Sequence, residues 1–372
     1  MRVHLVDPSA FTPPYDRALA AALARAGTDV TLVTSRFAYG DVPAADGYAV
    51  DERFYRRGGR VGPPGARVRL AAKLAEHVPD MLGYRAAADG PDGPAVVHFQ
   101  WLTVQPIDGH LLPRTRPTVL TAHDVLPREP RAGQLRAQRR LYERADRVVV
   151  HSEHGRARLT GELGLDPARV AVIPHGAFTH LSALRPVLPP ELTDPGPRVP
   201  VVALTGLLRP YKGLDVLLDA WRRFGAHPPA ELWIVGMPRM PMPPADALPP
   251  GVRIVGRFVT DPELAAVLRR ADVVTLPYRE IDQSGVLYAA LGLGRPLLLS
   301  AVGGFPEVAA TGAAEIVAPG DPDALHAALA RLIADPERRG ALTAAAALAA
   351  RTTYSWDAVA QRHIDLYGML DR

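Results

Sequence analysis

Two short segments carry residue types suited to holding a diphosphate. Gly206-Leu207-Leu208-Arg209-Pro210-Tyr211-Lys212-Gly213 lies between an apolar run, Val201–Thr205, and a segment with helical spacing, Leu214–Phe224. A strand that turns through glycine into a helix points backbone N–H groups and the positive helix end at an anion. Arg209 and Lys212 add two cations at that mouth. Lys73 and Lys212 are the only lysines among 43 basic residues, and a compact ammonium is not interchangeable with a guanidinium at a crowded phosphate. The GxxxxGK[ST] spacing of a P-loop is absent, which disfavours an NTPase. Taken alone, the same residues also describe a surface turn with solvated cations.

The second segment, Tyr278-Arg279-Glu280-Ile281-Asp282-Gln283-Ser284-Gly285-Val286-Leu287, again follows a strand-like run and opens a helix. Ser284 and Gly285 would leave free N–H groups at the helix start, a second anion site. Asp282 would be an acceptor for sugar hydroxyls, unless it and Ser284 are simple helix caps. Other candidates are weaker. Asp321-Pro322-Asp323 has the DxD spacing of a metal site but reads better as the acidic start of a helix. His151-Ser152-Glu153-His154 lacks the HExxH helix of a zinc site and reads as surface or site lining. No metal or other cofactor is expected.

These segments need a scaffold that ends strands at one edge. Short apolar runs at 2–6, 29–34, 95–99, 118–122, 147–151 and 170–173 alternate with helical stretches such as 15–26. The alternation resumes with strands at 201–205, 231–235, 252–255, 272–276, 296–300 and 314–317, and helices at 214–224, 261–271, 286–293, 323–333 and 336–350. Non-alternating apolar runs suit parallel strands covered on both faces, so the expected class is α/β, with two doubly wound Rossmann-like domains. Leu184–Pro200 carries six prolines and reads as the linker between them. The boundaries expected are 1–186 and 199–354, with a final helix over 355–372. A cleft between two such domains is the default place for a site.

Composition narrows the classes. The 372 residues are 48% hydrophobic and 22% charged, which excludes a disordered chain. No apolar run approaches the length of a membrane span, and Asp7 comes too soon for a secretory signal. The lack of cysteine excludes disulfides, thiolate zinc sites and a cysteine nucleophile, and fits a cytoplasmic protein. Net charge is +4. Acids are interspersed with the arginines and aromatics are 6%, so nucleic-acid binding is not expected. One stretch, Arg53–Lys73, gathers seven basic residues and runs into Leu70–Ala75. It is either a solvated loop or a peripheral contact with anionic lipid.

The chain resembles a family 4 glycosyltransferase of the GT-B superfamily. The residues carrying the resemblance are GLLRPYKG at 206–213, DQSGVL at 282–287, GRP at 294–296 and VGGFPE at 302–307. In the first half they are VVHFQW at 96–101, TAHD at 121–124, VVHSE at 149–153 and IPHG at 173–176. Tyr354-Ser355-Trp356 and the helix after it resemble the family's closing helix, which crosses back to the first domain. The likeness spans nearly the whole chain.

The resemblance implies a retaining transferase that takes a sugar from a nucleoside-diphosphate sugar, UDP slightly favoured over GDP, without a metal. The donor would bind the second domain and a small-molecule, glycan or lipid acceptor the first. Gly206, Arg209 and Lys212 would meet the diphosphate. The Gly285, Val286 and Leu287 amides would hold its distal phosphate, beside Gln283 and Ser284. Asp282 would hold the sugar, and Arg257, Phe258 and Val259 would line the nucleobase pocket. His123 matches a family histidine near the transferred sugar. Tyr15, Gln100, Trp101 and Asp124 are the acceptor-side candidates. Three departures stand out. Ala289 and Ala290 occupy the place of the family's second, ribose-binding acid. Leu207 replaces an arginine, with Arg209 nearby. The loop Pro8–Asp16 lacks the family's paired glycines. A sugar phosphorylase, a sugar-nucleotide epimerase, or a non-catalytic nucleotide-sugar-binding partner remains an alternative.

Overall fold

The computed structural model describes residues 1–370 except 39, 41, 64, 103 and 128–131. The chain forms two units, residues 1–176 with 356–372 and residues 177–355. The first contains β1 (Arg2–Asp7), α1 (Pro13–Arg25), β2 (Asp29–Ser35), β3 (Ala49–Phe54), α2 (Arg67–Asp89), β4 (Val96–Phe99), α3 (Gln105–Leu111), β5 (Thr118–Thr121), α4 (Gln134–Arg144), β6 (Arg147–Val150), α5 (Glu153–Gly161) and β7 (Val170–Val172). The second contains β8 (Val201–Thr205), α6 (Leu214–Arg222), β9 (Glu231–Val235), β10 (Val252–Val255), α7 (Asp261–Arg270), β11 (Val273–Leu276), α8 (Gly285–Gly292), β12 (Leu297–Ser300), α9 (Phe305–Ala309), β13 (Ala314–Val317), α10 (Pro322–Ala334) and α11 (Pro336–Arg351). The last helix, α12 (Trp356–Gly368), belongs to the first unit and packs on α1.

Both sheets are parallel, in the orders β3-β2-β1-β4-β5-β6-β7 and β10-β9-β8-β11-β12-β13. Strands such as β8, buried at every residue, have no polar face to turn to water and are sandwiched by helices. The strand order reverses between β1 and β4 in the first sheet and between β8 and β11 in the second. Loops leaving adjacent strand ends diverge there and open a crevice for ligands. The doubly wound α/β reading holds in both units, and among the described residues no helix is long and apolar enough to cross a membrane.

Three expectations change. The proline-rich stretch 184–200 is part of the second unit, not a free linker: Arg257 pairs with Glu191, Arg270 with Asp194, and the Val187 amide donates to the Pro262 carbonyl. The chain changes unit at Gly176/Ala177 and returns at Ser355/Trp356, so the 1–186 boundary is ten residues late. Second, β3 was not expected; it is an exposed edge strand, AVDERF, with no apolar run to announce it. Third, the basic stretch 53–73 (Pro64 lies outside the described residues) is neither a plain loop nor uniformly solvated. Its end opens the 23-residue helix α2, Arg53 pairs with Asp51 at 2.6 Å, and Lys73 lies over the Tyr55 ring.

Candidate active site

In the second unit the two anion-like junctions leave neighbouring strands, β8 and β11, at the switch point. The turn at Gly206 has φ +101°, a conformation that favours glycine. A methyl group there would sit 2.9 Å from Lys212 Nζ and 2.9 Å from Val286 Cγ2. The glycine therefore lets the ammonium lie against the first turn of α8. Lys212 is only 5% exposed; its Nζ donates to the Thr205 carbonyl at 3.3 Å and lies 4.9 Å from the Tyr278 ring centre. Gly213, at φ +67°, passes so close to the Pro277 carbonyl that no side chain fits, and the Arg279 amide donates to the Tyr211 carbonyl at 2.7 Å. These contacts tie one junction to the other. Arg209 stays exposed beside them and makes no ion pair among the described residues.

Ser284 is the N-cap of α8, but its side chain makes no capping bond, so the simple-cap reading fails for it. The Gly285 and Val286 amides make no hydrogen bond among the described residues, as the first N–H groups of a helix do not unless a side chain or ligand meets them. Leu287 differs from the expectation: its amide donates to the Ser284 carbonyl at 3.1 Å and is engaged within the turn. Gln283 Nε2 is buried without a partner, a donor that calls for an explanation. Asp282 is buried at the same loop, backed by Gly303, whose close approach to the Ile281 carbonyl excludes a side chain. Ala289 and Ala290 are core residues of α8. Of the nucleobase candidates, Arg257 is held by Glu191 and Glu263 in paired hydrogen bonds, Val259 packs on the core, and Phe258 stands exposed. Asp321 caps α10 by accepting from the Asp323 and Ala324 amides, and Asp323 pairs with Arg223, which accounts for the DxD spacing.

In the first unit, five strand ends bring Asp7, Gln100, Trp101, His123, His151 and His175 together. Trp101 stacks on His123 with centroids 5.0 Å apart, and both line a cavity of about 220 Å³ with Asp124 and Gln134. His123 Nδ1 is 3.2 Å from His151 Nε2, and His151 Nδ1 is 3.0 Å from the Ile173 carbonyl. That carbonyl can only accept, so His151 Nδ1 carries the hydrogen and its Nε2 accepts from His123 Nδ1. His123 Nε2 then faces the Gln100 side chain at 3.2 Å as an acceptor. Turning the amide so that its –NH2 faces His123 uses a Gln100 donor that otherwise has no partner. Burial, and then the neighbouring His151, His175, His98 and His363, hold His123 well below the ordinary histidine range. It is neutral at pH 7.

Two acceptor-side candidates lie deeper than the others. Tyr15 is 1% exposed, with its ring packed edge-on to His123 and His175 and near Trp356. Gln100 is fully buried. Tyr15 stands behind His123 under closely packed aromatic rings, whereas Gln100, though buried, lines the same cavity as Trp101 and His123. Trp101 is half-buried and Asp124 exposed, so these two do border the pocket. Sequence reading missed His175, and it treated His151 as lining. It also missed the buried pair Asp7 and Asp16. A signal existed for the histidines, since each ends a strand, but nothing in the spacing tells a ring pointing inward from one pointing out.

Two family models match the chain: Glycosyltransferase Family 4 over residues 17–180 and Glycosyl transferases group 1 over residues 199–335. The GDP-mannose:glycolipid 4-beta-D-mannosyltransferase of Xanthomonas campestris pv. campestris is 31% identical over 188 residues, 49% of this chain and 49% of that protein. The D-inositol 3-phosphate glycosyltransferase of Segniliparus rotundus is 30% identical over 269 residues, 68% of this chain and 58% of that one. The chain thus spans about half to three-fifths of the length of the curated relatives it matches. The solved sucrose-phosphate synthase of Thermosynechococcus elongatus superposes with a TM-score of 0.74 at 21% identity, covering 100% of this chain and 99% of that one; it shares the fold. With two parallel-sheet units and both family models in place, the chain belongs to the family 4 glycosyltransferases of the GT-B fold.

Proposed function

We propose that the chain transfers a sugar from a nucleoside-diphosphate sugar to a glycan or lipid acceptor, with retention of configuration and without a metal. The observation that carries this reading is the meeting of Lys212 with Gly206 and the head of α8. Breaking a sugar–phosphate bond builds negative charge on the departing diphosphate. Fixed cations and amides aimed at that charge stabilise the transition state more than the ground state. Lys212 and Arg209 supply the cations, and Gly285 and Val286 the amides. Asp282 receives the sugar hydroxyls, and Phe258 is available to the nucleobase. Neutral His123 orients sugar or acceptor by exchanging its Gln100 contact at Nε2 for a ligand hydroxyl, and the leaving phosphate takes the acceptor's proton on the same face.

The donor base is open to direct test. UDP is the sequence-based preference, and the Xanthomonas relative bears GDP-mannose in its name. A ligand that binds only the folded chain raises its stability by RT ln(1 + [L]/Kd). A thermal-shift series with UDP, GDP and ADP therefore identifies the base, and hydrolysis of the matching sugar nucleotide then identifies the sugar. Donor conversion without acceptor, or a requirement for inorganic phosphate, would replace transfer with an epimerase or a phosphorylase. Proton NMR of the product's anomeric centre tests retention, and activity in EDTA tests metal independence.

We also propose that α2 meets an anionic membrane surface. Leu70, Leu74, Val78 and Leu82 recur every four residues and stand exposed, Leu70 at 69%, with Arg67 and Arg69 beside them. Such a helix face suits lying in a lipid headgroup layer.

A further inference from the structure

The loop from β1 to α1 is built around two buried carboxyl groups that the reading above leaves without a role. Asp7 is 0% and Asp16 2% exposed, and neither forms an ion pair among the described residues. Asp7 Oδ1 accepts from the Ser9 amide at 3.1 Å; its Oδ2 accepts from the Phe11 amide and, at 3.2 Å, from the Thr12 amide. Asp16 is buried beside Asp7, and burial together with that neighbouring charge holds its carboxyl well above the usual carboxylate range. A carboxylate already ringed by three N–H donors is the ionised member, so the protonated one is Asp16. Asp16 Oδ1 accepts from Thr12 Oγ1 at 3.4 Å, and Thr12 Oγ1 accepts from Trp101 Nε1 at 2.8 Å. Trp101 in turn stacks on His123. Within this loop Ala10 is held at φ +50°, a conformation alanine keeps only when its surroundings impose it.

We propose that Asp16 is a positioning residue that works as a neutral carboxylic acid: its O–H clamps the Asp7 carboxylate while its other oxygen, through Thr12, seats Trp101 against His123. The inference rests on the reading of the Trp101–His123 wall as the acceptor side. Burial raises Asp16, and the adjacent Asp7 charge raises it further. The other titratable groups facing the pair do not neutralise it. Tyr15 is buried and neutral. Arg17 is turned to the Pro43 carbonyl and the Tyr48 hydroxyl, and Lys73 lies on Tyr55.

Asp16→Asn and Asp16→Ala separate this from other roles. Asparagine keeps a donor for Asp7 and an acceptor for Thr12, and has no proton to lose. Wild-type Asp16 keeps its proton when folded, whereas the unfolded chain releases it above about pH 4. The Tm of Asp16→Asn minus that of wild type should therefore grow from about pH 4 to pH 8. A flat or falling difference would mean Asp16 is ionised in the fold, and would overturn the proposal whether or not the chain proves to be a transferase. Loss of the clamp in Asp16→Ala should raise the acceptor KM about tenfold with a smaller effect on kcat, and Asp16→Asn should restore it. Equal defects in the two variants would overturn the proposal. The Trp101 indole N–H resonance, identified with Trp101→Phe, should shift in Asp16→Ala and hold its place in Asp16→Asn; no shift in Asp16→Ala would show that the chain to Trp101 is not made.

Discussion

At the scale of single residues, what matters is where one charge and one missing side chain sit. Lys212 is a buried cation whose approach to α8 depends on Gly206 having no Cβ. Lys212→Ala should lower kcat by about 10²–10³, the usual cost of removing one group that stabilises a departing charge. Unfolding followed by circular dichroism should show a native fold. Normal turnover in a folded variant would remove Lys212 from the diphosphate site. The resemblance singles out Lys212 and Asp282, which lie after the neighbouring strands β8 and β11. It could not show that the Leu287 amide is engaged by Ser284, that Arg257 is committed to two glutamates, or that Tyr15 is sealed behind His123. The Arg257–Glu191 pair and the rings around Tyr15 come from segments far away in sequence, while the Leu287 bond is closed within its own turn.

At the scale of elements, two helices carry tests. Gly176 receives the Trp356 ring at the start of α12: a methyl on Gly176 would lie 2.4 Å from its Cδ2 and Cε2. Gly176→Ala should destabilise the first unit by about 1–3 kcal/mol through overpacking, read as a lowered urea midpoint. The exposed stripe of α2 makes the other prediction. Leu70→Glu with Leu74→Glu should abolish co-flotation with phosphatidylglycerol vesicles, while catalysis on a water-soluble acceptor persists. Equal flotation of wild type and variant would assign the stripe no lipid contact. The period of α2 was hidden in the sequence because its apolar residues face outward as well as inward and Pro79 interrupts it. By contrast β8 and β9 match their expected bounds to the residue, since a short apolar run buried on both faces has few other states open to it; the partly exposed edge strands β10 and β13 match as well.

At the scale of the whole molecule, buried neutral histidines set the acid limit of stability. Burial lowers His151 and His363 to about 4, from an ordinary value of 6.5. The unfolded chain binds these protons first, so stability is intact above about pH 6.5 and is lost as pH falls toward 4. Each group contributes a loss on the order of 3 kcal/mol over that span. A Tm that stayed constant from pH 7 to 4.5 in Asp16→Asn, where the opposing titration of Asp16 is removed, would contradict the neutral assignment of the cluster. The sequence by itself determined the class of fold, the two strand-to-helix junctions of the second unit and the family, because apolar period, glycine placement and local charge act over a few residues. Only the tertiary structure decided that the proline-rich stretch belongs to the second unit, that His151 fixes the tautomer of His123, and that Asp7 and Asp16 are buried together. Each of these depends on desolvation and on partners from separate strand ends, and burial is a property of the assembled chain.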